Sequence, residues 1–176
     1  MKKILVVVDM QNDFVDGALG SNEAVAIVDN VVNKINEFDG EIIVTYDTHH
    51  DNYMETREGK YLPVPHCIED TDGWQLNGKV QKALYGKGDY TIIHKPTFGS
   101  TELADVVSLY WDGEENTEVT LIGLCTDICV VSNAMLLKAN YPEMDIVVDA
   151  NCCAGVTVDS HNAALTTMKM CQIDVI

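Results

Sequence analysis

The chain has 176 residues, 47% of them hydrophobic, and 11 Lys plus Arg against 28 Asp plus Glu, for a net charge of −17. This is enough apolar material for one substantial core and too short a chain for two, so a single domain over residues 1–176 is expected. The charge disfavours a nucleic-acid backbone or an anionic membrane surface as partner and suits a small neutral or cationic ligand.

The opening MKKILVVVDM holds an apolar run that stops at Asp9, shorter than a secretory core segment. No run reaches the roughly 18–20 apolar residues that cross a bilayer. The expectation is a soluble cytoplasmic protein whose six cysteines are reduced thiols.

Residues 3–8 are near-continuous aliphatics, the pattern of a strand buried on both faces of a parallel sheet, and end in Asp9. Ser21 is placed to cap a helix over 22–38, with Val25, Val28, Val32 and Ile35 at helical spacing, before Asp39-Gly40 turns the chain. A second strand at 41–46 also ends in an acid, Asp47, followed by Thr48, His49 and His50. Residues 47–73 are polar, broken by Pro63, Pro65 and glycines, and show no helical or strand period. Long loops of this kind in compact domains tend to be functional.

A short helix at 76–84 leads to a third strand at 89–94, then Lys95-Pro96, and Ser100 is placed to cap a helix ending at Tyr110. The acidic stretch 112–118 reads as a solvated loop. Strand four, 118–123, ends at Gly123, and Thr126 or Asp127 is a candidate cap for a helix to Asn140 with Val130, Ala134 and Leu137 on one face. Cys125 falls at the strand end and Cys129 in the first helical turn, where free N–H groups and the helix dipole favour a thiolate. A fifth strand at 145–148, a helix at 158–170 and a last strand at 173–176 complete the chain. Cys152-Cys153, just after strand five, reads as packing rather than chemistry, because adjacent cysteines chelate poorly.

Alternating strands and helices predict a three-layer α/β/α fold with a six-stranded, mostly parallel sheet and right-handed crossovers. In strand order 3-2-1-4-5-6, ligands bind beyond the carboxyl ends at the switch point between strands one and four. Asp9, Asp47, Lys95 and Cys129 all lie just past strand ends, and four such groups after four strands make a candidate site. A cysteine attacking a carbonyl needs a thiolate, a proton carrier and oxyanion donors. Asp9 can carry the proton, Lys95 between carboxylate and thiolate can hold both as anions, and the Cys125 and Cys129 amides are candidate donors.

D-M-Q-N-D-F at 9–14, T-I-I-H-K ending at Lys95, and V-T-L-I-G-L-C-T-D-I-C-V at 119–130 resemble the isochorismatase-like cysteine hydrolases over essentially the whole chain. The resemblance implies that family's fold and an Asp9, Lys95, Cys129 triad. It also implies a cis peptide before Cys125, turning the amide there towards the oxyanion.

Among these hydrolases the nicotinamidase and pyrazinamidase branch adds a metal site from D-x-H after strand two and a later histidine. That pattern corresponds here to Asp47, His49 and His66, with Glu58 as the further ligand and Glu55 as its competitor. Mixed nitrogen and oxygen ligands suit zinc, or manganese or iron, whereas His50 has no matching role and reads as solvent-exposed. The resemblance further implies that the metal positions a pyridine nitrogen, with Phe14 as a wall of the ring pocket. Residues 96–100 (PTFGS) and 61–63 (YLP) depart from relatives that carry Tyr-Ser-Ala-Phe and a ring-stacking tryptophan.

The expected function is hydrolysis of a heteroaromatic carboxamide to carboxylate and ammonia through a thioester on Cys129, with a place in NAD metabolism and a homo-oligomeric state implied by the resemblance. A related hydrolase of carbamoyl or ureido C–N bonds is the first rival. A non-catalytic ligand-binding member of the fold is the second. Vinyl ether hydrolysis of the isochorismatase type is disfavoured because it needs no cysteine nucleophile.

Overall fold

The computed structural model describes residues 1–111 and 117–176. The chain runs β1 (Lys2–Val8), α1 (Asn12–Val15), α2 (Asn22–Glu37), β2 (Glu41–Asp47), α3 (Arg57–Tyr61), α4 (Gly78–Lys87), β3 (Thr91–Lys95), α5 (Glu102–Tyr110), β4 (Thr117–Leu124), α6 (Val131–Asn140), β5 (Asp145–Ala154), α7 (Val158–Met170) and β6 (Asp174–Val175). Six strands form one sheet in the order β3-β2-β1-β4-β5-β6, and all pairings are parallel. Among the described residues no helix is long and apolar enough to cross a membrane.

β1 is central, and its aliphatic run is explained by burial on both sides. Ile4 through Val8 are fully buried, each contributing about 2 kcal/mol by leaving water. Leu5 and Val7 join the core under α2 and α4, which includes Val28, Ile35, Val80 and Leu84. Ile4, Val6 and Val8 face the opposite core with Leu103 of α5, Leu137 of α6 and Met168 of α7. Asp9 then takes a left-handed turn (φ 47°) out of the strand, a conformation aspartate tolerates better than bulkier residues.

Several local expectations are corrected. Ser21 does cap α2, accepting from the Ala24 N–H at 3.0 Å, but the buried stripe is Ala24, Ile27, Val28, Val31 and Ile35, leaving Val25 exposed. Two apolar stripes share this helix, and the sheet selects one. The 47–73 segment is not structureless: a 3₁₀ turn at Tyr53–Glu55 precedes α3, whose cap is the Thr56 hydroxyl on Gly59 N–H. Ser100 does not cap α5: the cap position falls on Thr101, which makes no side-chain cap bond, and the Ser100 N–H donates to the Asn133 side chain at 2.9 Å. β5 extends to Ala154, so Cys152 and Cys153 lie within it, one in each core. Of the acidic stretch expected as a loop, residues 112–116 lie outside the described residues, and Thr117 and Glu118 begin β4.

Candidate active site

The Cys129 segment is set by the end of β4. Gly123 adopts φ 117°, and a side chain there would collide with the Val8 carbonyl, so only glycine lets β4 approach β1 so closely. The Leu124–Cys125 peptide is cis, as the family resemblance implied. Neither Thr126 nor Asp127 caps the following helix. The Thr126 hydroxyl instead meets His161 Nδ1 at 2.8 Å, and the Asp127 carboxylate accepts from the Val156 N–H at 3.1 and 3.2 Å. The Cys125 carbonyl accepts from Ile128 and Val130 N–H, closing a wide π turn at Thr126–Val130 that carries Cys129 into the mouth of the sheet.

Around that sulfur the expected groups converge. Lys95 Nζ lies 3.6 Å from Cys129 Sγ, 2.6 Å from Asp9 Oδ2 and 3.5 Å from Asp47 Oδ1. Asp9 Oδ1 accepts from the Thr45 hydroxyl at 2.7 Å, whereas Oδ2, apart from its ion pair, has no hydrogen-bond partner among the described residues. Asp9 is 0% and Lys95 1% exposed. Burial raises the Asp9 pKa, Lys95 lowers it and Asp47 adds to the rise, leaving it above the usual carboxylate value. Burial likewise pushes the Cys129 thiol well up, with Asp9 adding and Lys95 opposing. For Lys95 burial favours the neutral form, but Asp9, Cys129 and Asp47 outweigh it and the ammonium is held charged. Burial therefore disfavours the thiolate that a helix N-terminus alone suggests: at Cys129 desolvation outweighs the attraction of Lys95.

The second cluster is built on the neighbouring strand end. Asp47 is directly opposite Lys95 in the β2–β3 register, and His49 follows two residues later. α3 brings in Glu58, and the segment after it brings in His66. The ligand atoms of these four residues all lie within 4.8 Å of one another. His49 Nε2 is 3.0 Å from Asp47 Oδ2 and 3.6 Å from Glu58 Oε1, and His66 Nε2 is 3.5 Å from each of those carboxylates. Ligands about 2.1 Å from a common tetrahedral ion stand about 3.4 Å apart, so this spacing fits a divalent metal. The His66 tautomer is set by Nδ1 donating to the Val64 carbonyl at 2.9 Å, the backing that metal-binding histidines require. Burial would lower the His66 pKa, but Asp47 and Glu58 raise it to about 10, the mark of a cage that attracts a cation. Burial would raise Asp47, and its bonds to His49 and His66 hold it below the usual range.

Glu58 rather than Glu55 joins the cluster, because the Thr56 cap starts a new helix between them. His50 stays outside, exposed and 3.3 Å from Glu69. Phe14 is buried with its ring 5.4 Å from that of His66. Both clusters open into one cavity of about 380 Å³, lined by Asp47, Glu58, His66, Cys125, Cys129 and Phe14.

Sequence reasoning missed the residues that hold these groups in place. Gln11, fully buried, receives the Asp47 N–H on Oε1 at 2.7 Å and donates from Nε2 to the Asp47 and Trp74 carbonyls. Asp13 accepts from the Cys67 N–H at 2.8 Å, beside His66. Asn133, also fully buried, donates to the Cys129 carbonyl at 2.8 Å while accepting from Ser100 N–H. The signal available was position: Gln11 and Asp13 sit inside the acidic motif, and Asn133 is one helical turn after Cys129.

Comparison with known proteins agrees with this geometry. The isochorismatase domain model matches residues 3–176. An isochorismatase family protein of Bacillus subtilis is 31% identical, covering 94% of this chain and 93% of its own. The crystal structure of a nicotinamidase/pyrazinamidase from Bacillus subtilis superposes with a TM-score of 0.84 at 28% identity, covering 99% of each chain. A pyrazinamidase of Pyrococcus horikoshii solved in complex with zinc gives a TM-score of 0.79 at 25% identity over 100% of this chain and 99% of its own. The matched domain, the cis peptide after β4 and the order of Asp9, Lys95 and Cys129 along the sheet agree: the chain belongs to the isochorismatase family.

Proposed function

We propose that the protein is an amide hydrolase of the nicotinamidase type, converting a heteroaromatic carboxamide to the carboxylate and ammonia. The observation that carries this reading is that one cavity is lined both by Cys129, behind which stands the Asp9–Lys95 pair, and by Asp47, Glu58 and His66 of the four-residue cluster that His49 completes. Similarity to structures named nicotinamidase/pyrazinamidase supports it.

In the proposed reaction Asp9 Oδ2 accepts the thiol proton as Sγ bonds to the carboxamide carbon. The Cys125 and Cys129 N–H groups are the donors for the resulting oxyanion. Lys95 keeps Asp9 ionised before the transfer and stabilises charge on sulfur during it. Asp9 then returns the proton to the amine, the C–N bond breaks, and ammonia leaves a thioester on Cys129. Water, deprotonated by Asp9, adds to the thioester, the C–S bond breaks and the thiol is regenerated with the carboxylate product. A divalent ion such as zinc, held by Asp47, His49, Glu58 and His66, would supply a Lewis-acidic docking point for a ring nitrogen.

The apolar part of the lining, from Phe14, Leu62, Phe98 and Leu124, suits a flat ring better than a carbamoyl amino acid. The test is ammonia release from nicotinamide, pyrazinamide and carbamoyl compounds, with metal content measured on the same sample. Turnover of the ring amides is expected. Turnover of carbamoyl compounds alone would refute the assignment.

A further inference from the structure

We infer that Tyr53 is the positioning residue of the Asp47, His49, Glu58, His66 cluster: its ring fixes the planes of both histidines, and its backbone seats the helix that presents Glu58. The inference rests on the metal docking point just proposed and names what shapes it.

Burial singles Tyr53 out. It is 1% exposed, and of the largest fully buried side chains among the described residues only Tyr53 and Lys95 belong to neither apolar core. Lys95 is held by the Asp9 and Asp47 carboxylates. Tyr53 is held by imidazoles. Its ring centroid lies 4.8 Å from that of His49 at 64° and 5.0 Å from that of His66 at 74°, while the two imidazoles stand 4.9 Å apart at 76°. The three rings close a triangle in which each meets the next edge on, an arrangement that aromatic quadrupoles favour. A turn of any one ring breaks two of these contacts.

The two histidines differ in what else holds them. His66 Nδ1 bonds to the Val64 carbonyl at 2.9 Å, whereas His49 meets Asp47 and Glu58 through Nε2 and its Nδ1 has no hydrogen-bond partner among the described residues. A ligating histidine ordinarily has its second nitrogen tied to an acceptor, which fixes the ring. The His49 backbone is pinned, its N–H to the Cys67 carbonyl at 2.9 Å and its carbonyl to the Glu69 N–H at 2.8 Å, so only the side chain is left to orient. The Tyr53 ring does this. That ring is itself tethered, the hydroxyl donating to the Leu62 carbonyl at 2.9 Å. The Tyr53 carbonyl accepts from the Thr56 hydroxyl at 2.6 Å and the Thr56 N–H at 3.0 Å, and Gly59 packs so close to it that a side chain there would collide. The helix carrying Glu58 is thus seated on the residue whose ring abuts both histidines.

The experiment measures how zinc divides between the zinc-loaded protein and a chromophoric chelator, in wild type, Tyr53→Phe and Tyr53→Leu. Tyr53→Phe keeps the ring and removes the hydroxyl tether, and is expected to hold zinc within about fivefold of wild type. Tyr53→Leu loses the ring and is expected to hold zinc about ten- to a hundredfold more weakly, with an altered visible spectrum after cobalt substitution. Because Tyr53 acts through a ligand, leucine in a His49→Ala background is expected to cost less than in wild type. A role in stability alone would lower the melting temperature of Tyr53→Leu and leave zinc partition unchanged. The inference is overturned if Tyr53→Leu stays within about tenfold of wild type, if Tyr53→Phe is as weak as Tyr53→Leu, or if leucine costs as much in both backgrounds. Thermal melts identify a leucine variant that does not fold, and Tyr53→Met then takes its place. Wild type alone also decides: nuclear Overhauser contacts from the Tyr53 ring to both imidazoles are expected in the zinc-loaded protein, and their absence refutes the triangle. Zinc held tightly without turnover of nicotinamide defeats the proposed function and leaves this inference standing. A wild type that retains no zinc defeats the inference and the metal docking point with it.

Discussion

Replacing Lys95 by methionine removes the ammonium, with its charge and its N–H donors, and leaves an unbranched side chain one atom shorter. In the native site Nζ stands 2.6 Å from Asp9, 3.5 Å from Asp47 and 3.6 Å from the Cys129 sulfur, and the Thr45 hydroxyl donates to Asp9 at 2.7 Å. Removing one member of a buried ion pair costs about 3–5 kcal/mol. The protein can relieve that cost by protonating Asp9, and at about 1.4 kcal/mol per unit the carboxyl pKa should rise by about 2–4 units. A protonated Asp9 cannot accept the thiol proton. The acid limb of kcat/KM, which reports the base in free enzyme, should therefore move up by at least about two pH units in Lys95→Met.

Stability follows with a defined sign. Asp9 is already raised above its ordinary 3.8, so the folded state retains a proton that the unfolded chain has released, and stability falls as pH rises through that window. In Lys95→Met the window widens. Its melting temperature should lie near wild type at about pH 4 and fall progressively behind towards neutral pH. An acid limb that stays within about half a pH unit of wild type would show that Lys95 does not hold Asp9 ionised.

Cys129→Ala should abolish ammonia release and trapping of the thioester by hydroxylamine, whereas Cys125→Ser, which keeps the amide, should retain activity within about tenfold in the same assays. Dialysis against a strong chelator should remove metal and activity together, with zinc or manganese restoring both. His49→Ala should bind metal more weakly by titration calorimetry and need more for half-maximal activity. Asn133→Ala strips the hydrogen bonds joining the Cys129 carbonyl to Ser100, and at about 1 kcal/mol or more per bond should lower urea stability by about 2–3 kcal/mol. A loss below about 0.5 kcal/mol would show that this buried amide holds nothing in place.

The sheet and the order of its strands were legible because their causes are local. A fully buried strand must be aliphatic throughout, as residues 4–8 are, and alternation with helices permits few parallel arrangements. Asp9, Lys95 and Cys129 were legible because each sits where a strand stops. Other features depended on distant partners. α5 starts one residue after Ser100, whose N–H is bound by Asn133, His161 and Val156 draw Thr126 and Asp127 away from capping α6, and the sheet chooses which stripe of α2 is buried.

By itself the sequence determined which groups are present and the strand end each occupies, since hydrophobic period and motif spacing are written along the chain. Tertiary structure decided their state. Desolvation at a closed junction disfavours the Cys129 thiolate despite a lysine 3.6 Å away. The turn at Thr56 decides that Glu58 and not Glu55 faces His49 and His66. The packing of distant elements puts Ala24 of α2 and Val156 after β5 on the cavity that Cys129 lines. Each depends on how closely distant elements approach, because burial and Coulomb energies are set by distances that no single segment contains.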